Sequence, residues 1–112
     1  MAVHSPFGLP DTSNAMTATG AQAVTIANQG TIIDGVTVEA TGNRTLNLTI
    51  NSDIVAGATL LVQSKSNATE TLTFGTSITS AVITGVAGKT VNQLFIYNGT
   101  AFVAAGAKQQ ID

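Results

Sequence analysis

Few side chains in this 112-residue sequence could carry acid–base or metal chemistry. The only histidine, His4, lies in a stretch without periodicity, and we expect it to be solvated or to form a simple contact. The carboxylates never fall at the alternate positions of a calcium loop, and nothing marks two of them as a glycosidase pair. They are Asp11, Asp34, Glu39, Asp53, Glu70 and Asp112. Because the sequence also lacks cysteine and a histidine pair that could bind zinc, we expect no metal, no cofactor and no enzymatic activity.

Residues Gly85–Thr90 share a glycine and a Gly-Lys pair with the end of a phosphate-binding loop. In such a loop about four residues separate the first glycine from the Gly-Lys pair, whereas here only Val86 and Ala87 do so. The residues that follow, Val91–Tyr97, are β-prone, whereas a phosphate-binding loop leads into a helix. We therefore interpret Gly85–Thr90 as a turn between two strands.

The low content of charged side chains limits the partners that the protein can bind. Charged residues make up 9% of the sequence, the formal net charge is −2, and the four basic residues are scattered. Because phosphate binding depends on clustered Lys and Arg, we expect no nucleic-acid partner. No apolar run reaches the roughly 18 residues of a membrane-spanning helix. The N-terminus has neither the basic nor the apolar region of a signal peptide, so we expect a cytoplasmically made protein without a membrane partner.

Short β-strands are the elements that must position any functional surface. Thr, Val and Ile recur between stretches of Gly, Asn and Ser, and no helical periodicity separates them. The clearest strand is Arg44–Asn51, where Leu46, Leu48 and Ile50 alternate with polar residues and should face the core. We count about eight strands spaced roughly ten residues apart, which predicts an all-β protein with a β-sandwich or jelly-roll-like domain.

The strongest local signal is a β-hairpin over Val91–Val103. Two β-prone runs flank Asn98–Gly99, a pair that tolerates the positive φ of a type I′ turn. A two-residue turn at this point sets the register and predicts that Phe95 lies opposite Phe102.

The first strand of this hairpin is apolar on both faces. Leu94 and Ile96 lie on one face, and Phe95 and Tyr97 lie on the other. Because neither face can be left in water at low cost, we expect the strand to be central in a sandwich or covered by another subunit.

Both ends of the sequence lack the alternation of the strands. Pro and Gly break any periodicity near the N-terminus, where only Phe7, Leu9 and Met16 could anchor the chain by burial. The sequence therefore predicts three segments. They are an extended N-terminal arm at residues 1–20, a β-sandwich domain at residues 21–106 and a C-terminal tail at residues 107–112.

The stretch Leu60–Gly106 resembles small β-sandwich decoration proteins, or auxiliary head proteins, and head fibres of tailed bacteriophage virions. The resemblance rests on Thr71–Phe74, followed by the aromatic hairpin Leu94–Val103 with its Tyr-Asn-Gly turn. It implies a structural virion protein, commonly a homotrimer, that binds the major capsid protein on the outside of the capsid lattice. It also implies that no catalytic residues are present.

The composition agrees with a role in assembly. A surface of neutral polar side chains is desolvated at lower cost than a charged one, so it suits packing against copies or neighbours. We expect a capsid decoration protein that is made in the host cytoplasm and stabilises the virion by cementing adjacent capsomers. The expected interface residues are Phe7, Leu9 and Met16 toward the capsid, and Phe95, Tyr97 and Phe102 for self-association.

A carbohydrate- or host-binding β-module of a fibre or adhesin is the alternative. An exposed row such as Thr45, Asn47 and Thr49 could bind glycans, although lectins usually add an aromatic platform, for which only Tyr97 is a candidate. Recruitment to shells that depends on the arm would favour decoration. Glycan binding that survives loss of the arm would favour the alternative.

Overall fold

The computed structural model describes residues 12–112. This part of the chain contains eleven β-strands joined by turns and loops, and no helix. The strands are β1 Thr12–Ala15, β2 Gly20–Ile26, β3 Gly30–Ala40, β4 Arg44–Ile50, β5 Thr59–Ser66, β6 Thr71–Phe74, β7 Ile78–Thr79, β8 Ile83–Thr84, β9 Thr90–Tyr97, β10 Phe102–Ala104 and β11 Gln109–Gln110. They form a larger sheet with the order β1-β3-β5-β9-β10-β7, in which β11 also pairs with β9, and a smaller sheet with the order β2-β4-β6-β8. The prediction of an all-β protein is confirmed, with more strands than the count from the sequence.

The first six strands wind as a flattened coil. Successive strands alternate between the sheets, so that β1, β3 and β5 lie parallel in the larger sheet and β2, β4 and β6 lie parallel in the smaller sheet. Gly, Asn or Ser residues in each connection from β2 to β6 let the chain cross from one sheet to the other. This parallel winding distinguishes the fold from a jelly roll, whose strands are antiparallel. Strand spacing in the sequence carries no information on strand direction.

Antiparallel strands close one end of the coil. β9 lies antiparallel to β5 on one side and to β10 and β11 on the other, and β8 lies antiparallel to β6. β7 completes the larger sheet by pairing in parallel with β10. The opposite end of the coil is formed by β1 and β2, which are the outermost strands of their sheets.

The two sheets pack face to face around one apolar core. Alternation along β4 turns Leu46 and Leu48 inward, where both are buried, as the sequence predicts. Phe74 of the smaller sheet meets Phe95 of the larger sheet, with ring centroids 5.1 Å apart. The sandwich is therefore held together by side chains that every second residue of the strands supplies.

The domain begins before its predicted boundary. β1 pairs in parallel with β3, and Met16, directly after β1, is only 2% exposed. The Met16 methyl group occupies the space beside Gly35 that a side chain there would need, and the Met16 N–H donates to the Asp34 carbonyl at 2.8 Å. The prediction of an arm is therefore wrong for residues 12–20, because tertiary pairing and burial order a stretch without its own periodicity. Residues 1–11 lie outside the described part of the chain.

The C-terminal residues also belong to the larger sheet. β11 pairs with β9, and the Ile111 N–H donates to the Thr90 carbonyl at 3.0 Å. The Asp112 carboxylate accepts a hydrogen bond from the Thr90 N–H at 2.6 Å. Residues 107–112 are exposed, but they contain an edge strand of the larger sheet, so the domain extends past its predicted boundary at residue 106.

The β9–β10 hairpin forms, but in a register that differs from the prediction. Tyr97 lies opposite Phe102, in the place predicted for Phe95. Because the partner changes by two positions and side chains alternate with a period of two, Phe95 and Phe102 still point to the same face.

The side chain of Asn98 explains the shifted register. Its Oδ1 accepts hydrogen bonds from the N–H groups of Thr100 and Ala101, at 2.9 Å each. The Asn98 N–H donates to the Ala101 carbonyl at 3.0 Å, so the turn is centred on Gly99 and Thr100. Gly99 takes the positive φ of +98° that the first central position needs, which is the role of glycine in a type II′ turn.

Candidate interaction surface

The residues predicted for self-association lie in the core. Phe95 and Phe102 are fully buried, and Tyr97 is nearly so. The rings of Tyr97 and Phe102 pack at a centroid distance of 5.1 Å, and the Tyr97 hydroxyl donates to the Gly99 carbonyl at 3.0 Å. These side chains are enclosed by their own chain and cannot contact another subunit, so this part of the interface prediction is wrong.

The residues predicted to anchor the arm on the capsid have two different outcomes. Met16 is wrong as an anchor, because its side chain fills the core of its own domain. Phe7 and Leu9 lie outside the described residues, so the prediction for them stays a prediction.

The opposite face of the hairpin exposes apolar side chains. Leu94 is 41% exposed, Ile96 is 36% exposed and Val103 is 39% exposed. The sequence does indicate this feature, since β9 is apolar on both faces and a two-layer sandwich can bury only one of them. The face that could meet a partner is therefore the one without the aromatic residues.

This exposed face continues across the larger sheet. Ile32 of β3 pairs with Leu61 of β5, Leu61 pairs with Leu94 of β9, and Ile96 pairs with Val103 of β10. Ile32 and Leu61 are half-buried. With about 4.8 Å between neighbouring strands, the four strands span about 14 Å. We call these five side chains the outer apolar surface.

Polar side chains border the outer apolar surface on one side. Asp34, Gln63 and Asn92 are paired in the next outward-facing row of β3, β5 and β9. The Asp34 carboxylate accepts from the Thr37 hydroxyl at 2.6 Å and from the N–H groups of Val36 and Thr37 at 2.8 and 3.1 Å. These hydrogen bonds lower the pKa of Asp34, the Thr37 hydroxyl most strongly.

A shallow groove of about 370 Å³ runs along the same border. Its lining residues are Leu61, Asn92, Leu94, Ala105, Gly106, Ala107 and Gln109. The Asn92 Oδ1 atom is buried and accepts no hydrogen bond from any described residue. The groove therefore combines the apolar side chains of Leu61 and Leu94 with the polar residues Asn92 and Gln109.

The outer face of the smaller sheet has a different character. Thr45, Asn47 and Thr49 point outward from β4, and Ala21 and Thr73 lie beside Thr45 on the neighbouring strands. No charged residue is among the outward-facing positions of β2, β4, β6 and β8. The Asn47 Oδ1 is occupied, since it accepts from the Thr76 N–H at 3.0 Å. This face carries no charge and combines hydroxyl, amide and alanine side chains.

Arg44 is a buried cation, although the sequence suggested only one of four scattered basic residues. It is 1% exposed, and its guanidinium donates five hydrogen bonds. The acceptors are the Thr17 carbonyl at 3.2 Å, the Val38 carbonyl at 3.1 Å, the Gly35 carbonyl at 3.3 Å, the Ser64 Oγ at 3.0 Å and the Lys65 carbonyl at 3.4 Å. The sequence did contain a signal for this burial, because Arg44 lies in the same alternating series as the core residues Leu46 and Leu48. The bonds stay within the domain, so Arg44 supports the fold and offers no donor to a ligand.

The described part of the chain offers no metal centre, since it contains no group of three or more His, Cys, Asp or Glu side chains that could hold an ion. Residues 12–112 also include no helix that is long and apolar enough to cross a membrane. No protein-family model, curated protein or solved structure matches this chain. Among the described residues, the outer apolar surface is therefore the feature that best fits the binding of a partner.

Proposed function

We propose that this protein is a structural virion component, a capsid decoration or auxiliary head protein of a tailed bacteriophage. In this role it associates with copies of itself as a homotrimer, binds the major capsid protein on the outside of the lattice, and stabilises the shell. The observation that carries the proposal is the outer apolar surface. Contact between contiguous apolar side chains and water costs free energy, which a partner that covers them would recover.

The size and chemistry of this surface suit a subunit contact. Its five side chains are contiguous over four strands, whereas monomeric proteins usually scatter their exposed apolar residues singly. None of the five is charged, so covering them removes apolar area from water without desolvating an ion. The polar border on one side, formed by Asp34, Gln63 and Asn92, resembles the polar rim of a protein interface.

The proposed mechanism is cementing. A copy that binds the assembled shell but not its separated subunits stabilises the shell by mass action, by about 2.7 kcal/mol per copy at a concentration one hundred times the dissociation constant. A trimer presents three such contacts at once, so its hold on the lattice exceeds that of each contact alone. Expansion or rupture of the shell must then break these contacts together.

The test compares an Ile96→Lys variant with a Thr73→Lys variant as a matched control. Ile96 lies in the outer apolar surface, whereas Thr73 is exposed on the smaller sheet, so both add one cation to an exposed strand position. Light scattering should report a trimer or an assembly of trimers for the unmodified chain and the Thr73 variant, and a smaller species for the Ile96 variant. Binding to shells that lack this protein, followed by co-sedimentation, should be lost only with Ile96→Lys.

Two results would contradict the proposal. One is an unmodified chain that stays monomeric and does not bind the shells at any concentration tested. The other is an Ile96→Lys variant that associates and binds as the control does. Urea unfolding of both variants keeps the comparison sound, because a folded Ile96 variant excludes loss of structure as the cause.

The groove beside Asn92 favours a second candidate function, a carbohydrate- or host-binding module of a fibre or adhesin. The apolar side chains of Leu61 and Leu94 can pack on the face of a sugar ring, and the polar lining residues Asn92 and Gln109 can hydrogen-bond to its hydroxyls. In this case a glycan array should give binding that Asn92→Ala removes, whereas binding to shells should be absent. Shell binding without glycan binding would exclude this candidate.

A further inference from the structure

The outer edge of the smaller sheet is long and unprotected. β2 pairs with β4 over all seven of its residues in one continuous register, and within residues 12–112 no strand pairs with its other edge. β2 has neither a charged residue nor a proline, two devices with which proteins protect edge strands. By comparison, β7, β8 and β11 at the other end of the coil have two residues each, too few to offer a template.

The hydrogen bonds at both ends of β2 define which of its groups face this edge. The Gly20 N–H donates to the Asn43 carbonyl at 2.9 Å, and the Ile26 carbonyl accepts from the Asn51 N–H at 3.0 Å. In a parallel pair, every second residue directs both its N–H and its C=O toward a given neighbour. Gly20, Ile26 and the even-numbered residues between them therefore bond to β4.

The odd-numbered residues of β2 face away from β4. Ala21, Ala23 and Thr25 direct their N–H and C=O groups to the free edge, which gives three donors and three acceptors at alternate positions. Their side chains are short, uncharged and exposed on the outer face of the sheet. Nothing about these side chains obstructs an approaching strand.

We propose that a second copy of this chain pairs with β2 in antiparallel orientation, about a twofold axis beside Ala23. In this register Ala23 faces Ala23 of the second copy, and Ala21 faces Thr25 in both directions. All three are hydrogen-bonded pairs, so three donors and three acceptors on each strand form six hydrogen bonds with no group left over. The occupant is a second copy because β2 is complementary to itself in spacing, in hydrogen-bonding groups and in side-chain size.

This contact goes beyond the proposed role on a capsid and does not depend on it. It joins two four-stranded sheets into one continuous sheet and removes the unprotected edge. A twofold contact through β2 and a threefold contact through the outer apolar surface use different parts of the molecule. Together they would link trimers into a continuous net, whereas either contact alone gives a closed oligomer.

The experiment measures dimerisation through β2 by sedimentation velocity, in an Ile96→Lys background that disables the outer apolar surface. Ala23→Lys places two ammonium groups opposite each other and should raise the dissociation constant by at least about tenfold. Ala23→Glu should do the same, and an equimolar mixture of the two should restore the dimer through opposite charges. Thr73→Lys, on the same face but two strands from the edge, should leave the dissociation constant unchanged.

A proline variant tests the hydrogen bonds rather than the charge. Ala23→Pro removes an N–H group that β4 does not use, so the fold should persist while the dimer weakens. The proposal is overturned if the Ile96→Lys chain stays monomeric, if Ala23→Lys dimerises as well as its parent, or if the mixture does not recover. Shell binding by Ala23→Lys without the background mutation should persist, which separates failure of this contact from failure of the proposed function.

Discussion

Replacing Arg44 with alanine tests whether one buried guanidinium holds the coil together. Arg44 begins β4 in the smaller sheet, yet it donates to Gly35 and Ser64 of the larger sheet and to Thr17 in the connection between β1 and β2. Burial lowers the pKa of Arg44, with a smaller opposing contribution from the charge of Glu70. The side chain stays protonated, because an arginine titrates far above any working pH. Hydrogen bonds to neutral oxygens therefore replace the hydration that the charged guanidinium loses on burial.

The expected loss follows from what the substitution leaves behind. Arg44→Ala removes the donors from five oxygen atoms and opens a cavity between the sheets. Each net hydrogen bond from a charged donor contributes about 1.5 to 3 kcal/mol, but the desolvation of the removed cation offsets much of their sum. We expect the free energy of unfolding to fall by about 3 to 5 kcal/mol. Arg44→Lys should recover only part of this loss. It keeps the positive charge, but one compact ammonium cannot reach both the acceptors of Nη1 and those of Nη2.

Urea unfolding followed by circular dichroism measures both variants against a matched control. Lys65 is a half-exposed cation on β5, so Lys65→Ala removes the same charge from the same region and should change the free energy by less than about 0.5 kcal/mol. A loss below about 1 kcal/mol for Arg44→Ala would refute the reasoning. So would equal losses for the alanine and lysine variants, since the fork of the guanidinium would then have no role.

Three further predictions concern acid stability, the two faces of the hairpin and the close packing beside Gly85. The hydrogen bonds that lower the pKa of Asp34 stabilise the folded state fully above the unfolded pKa of about 4, and this stabilisation is lost as the pH falls from there through the lower pKa of the folded state. An Asp34→Asn variant should therefore show a flatter acid limb in unfolding titrations. Phe102→Ala should cost about 3 to 5 kcal/mol in urea unfolding, whereas Val103→Thr, on the exposed face, should cost less than about 0.5 kcal/mol, and equal costs would contradict the assignment of faces. A side chain at Gly85 would collide with Ser66 and approach the Glu70 carbonyl at 2.8 Å, so Gly85→Ala should lower the melting temperature, by an amount equivalent to about 1 to 3 kcal/mol.

Much of the fold could be predicted because alternation is a local property of the chain. Leu46 and Leu48 are buried as their spacing predicts, and the hairpin at β9 and β10 forms where the Asn-Gly pair indicates. The register of the hairpin was wrong because the Asn98 side chain satisfies two N–H groups that the type I′ turn would arrange differently. A side-chain capping bond of this kind depends on geometry that propensity does not contain.

The candidate site was predicted in the right element but on the wrong face. The unbroken apolar run Leu94–Tyr97 in β9 indicates that two surfaces must be covered, and the sequence does not state which one the second sheet covers. Tertiary packing decides this in favour of Phe95 and Tyr97, because the larger aromatic side chains fill the space between the sheets. Leu94 and Ile96 then lie exposed on the outer face of the larger sheet.

The sequence by itself determined that the protein is all-β, that its surface carries few charges, and that one hairpin is apolar on both faces. These are properties of composition and of neighbours along the chain. Only the tertiary structure decided that the strands wind in parallel, that Met16 is interior, and that β2 is an open edge. Each of these depends on contacts between residues far apart in sequence, which no local pattern encodes.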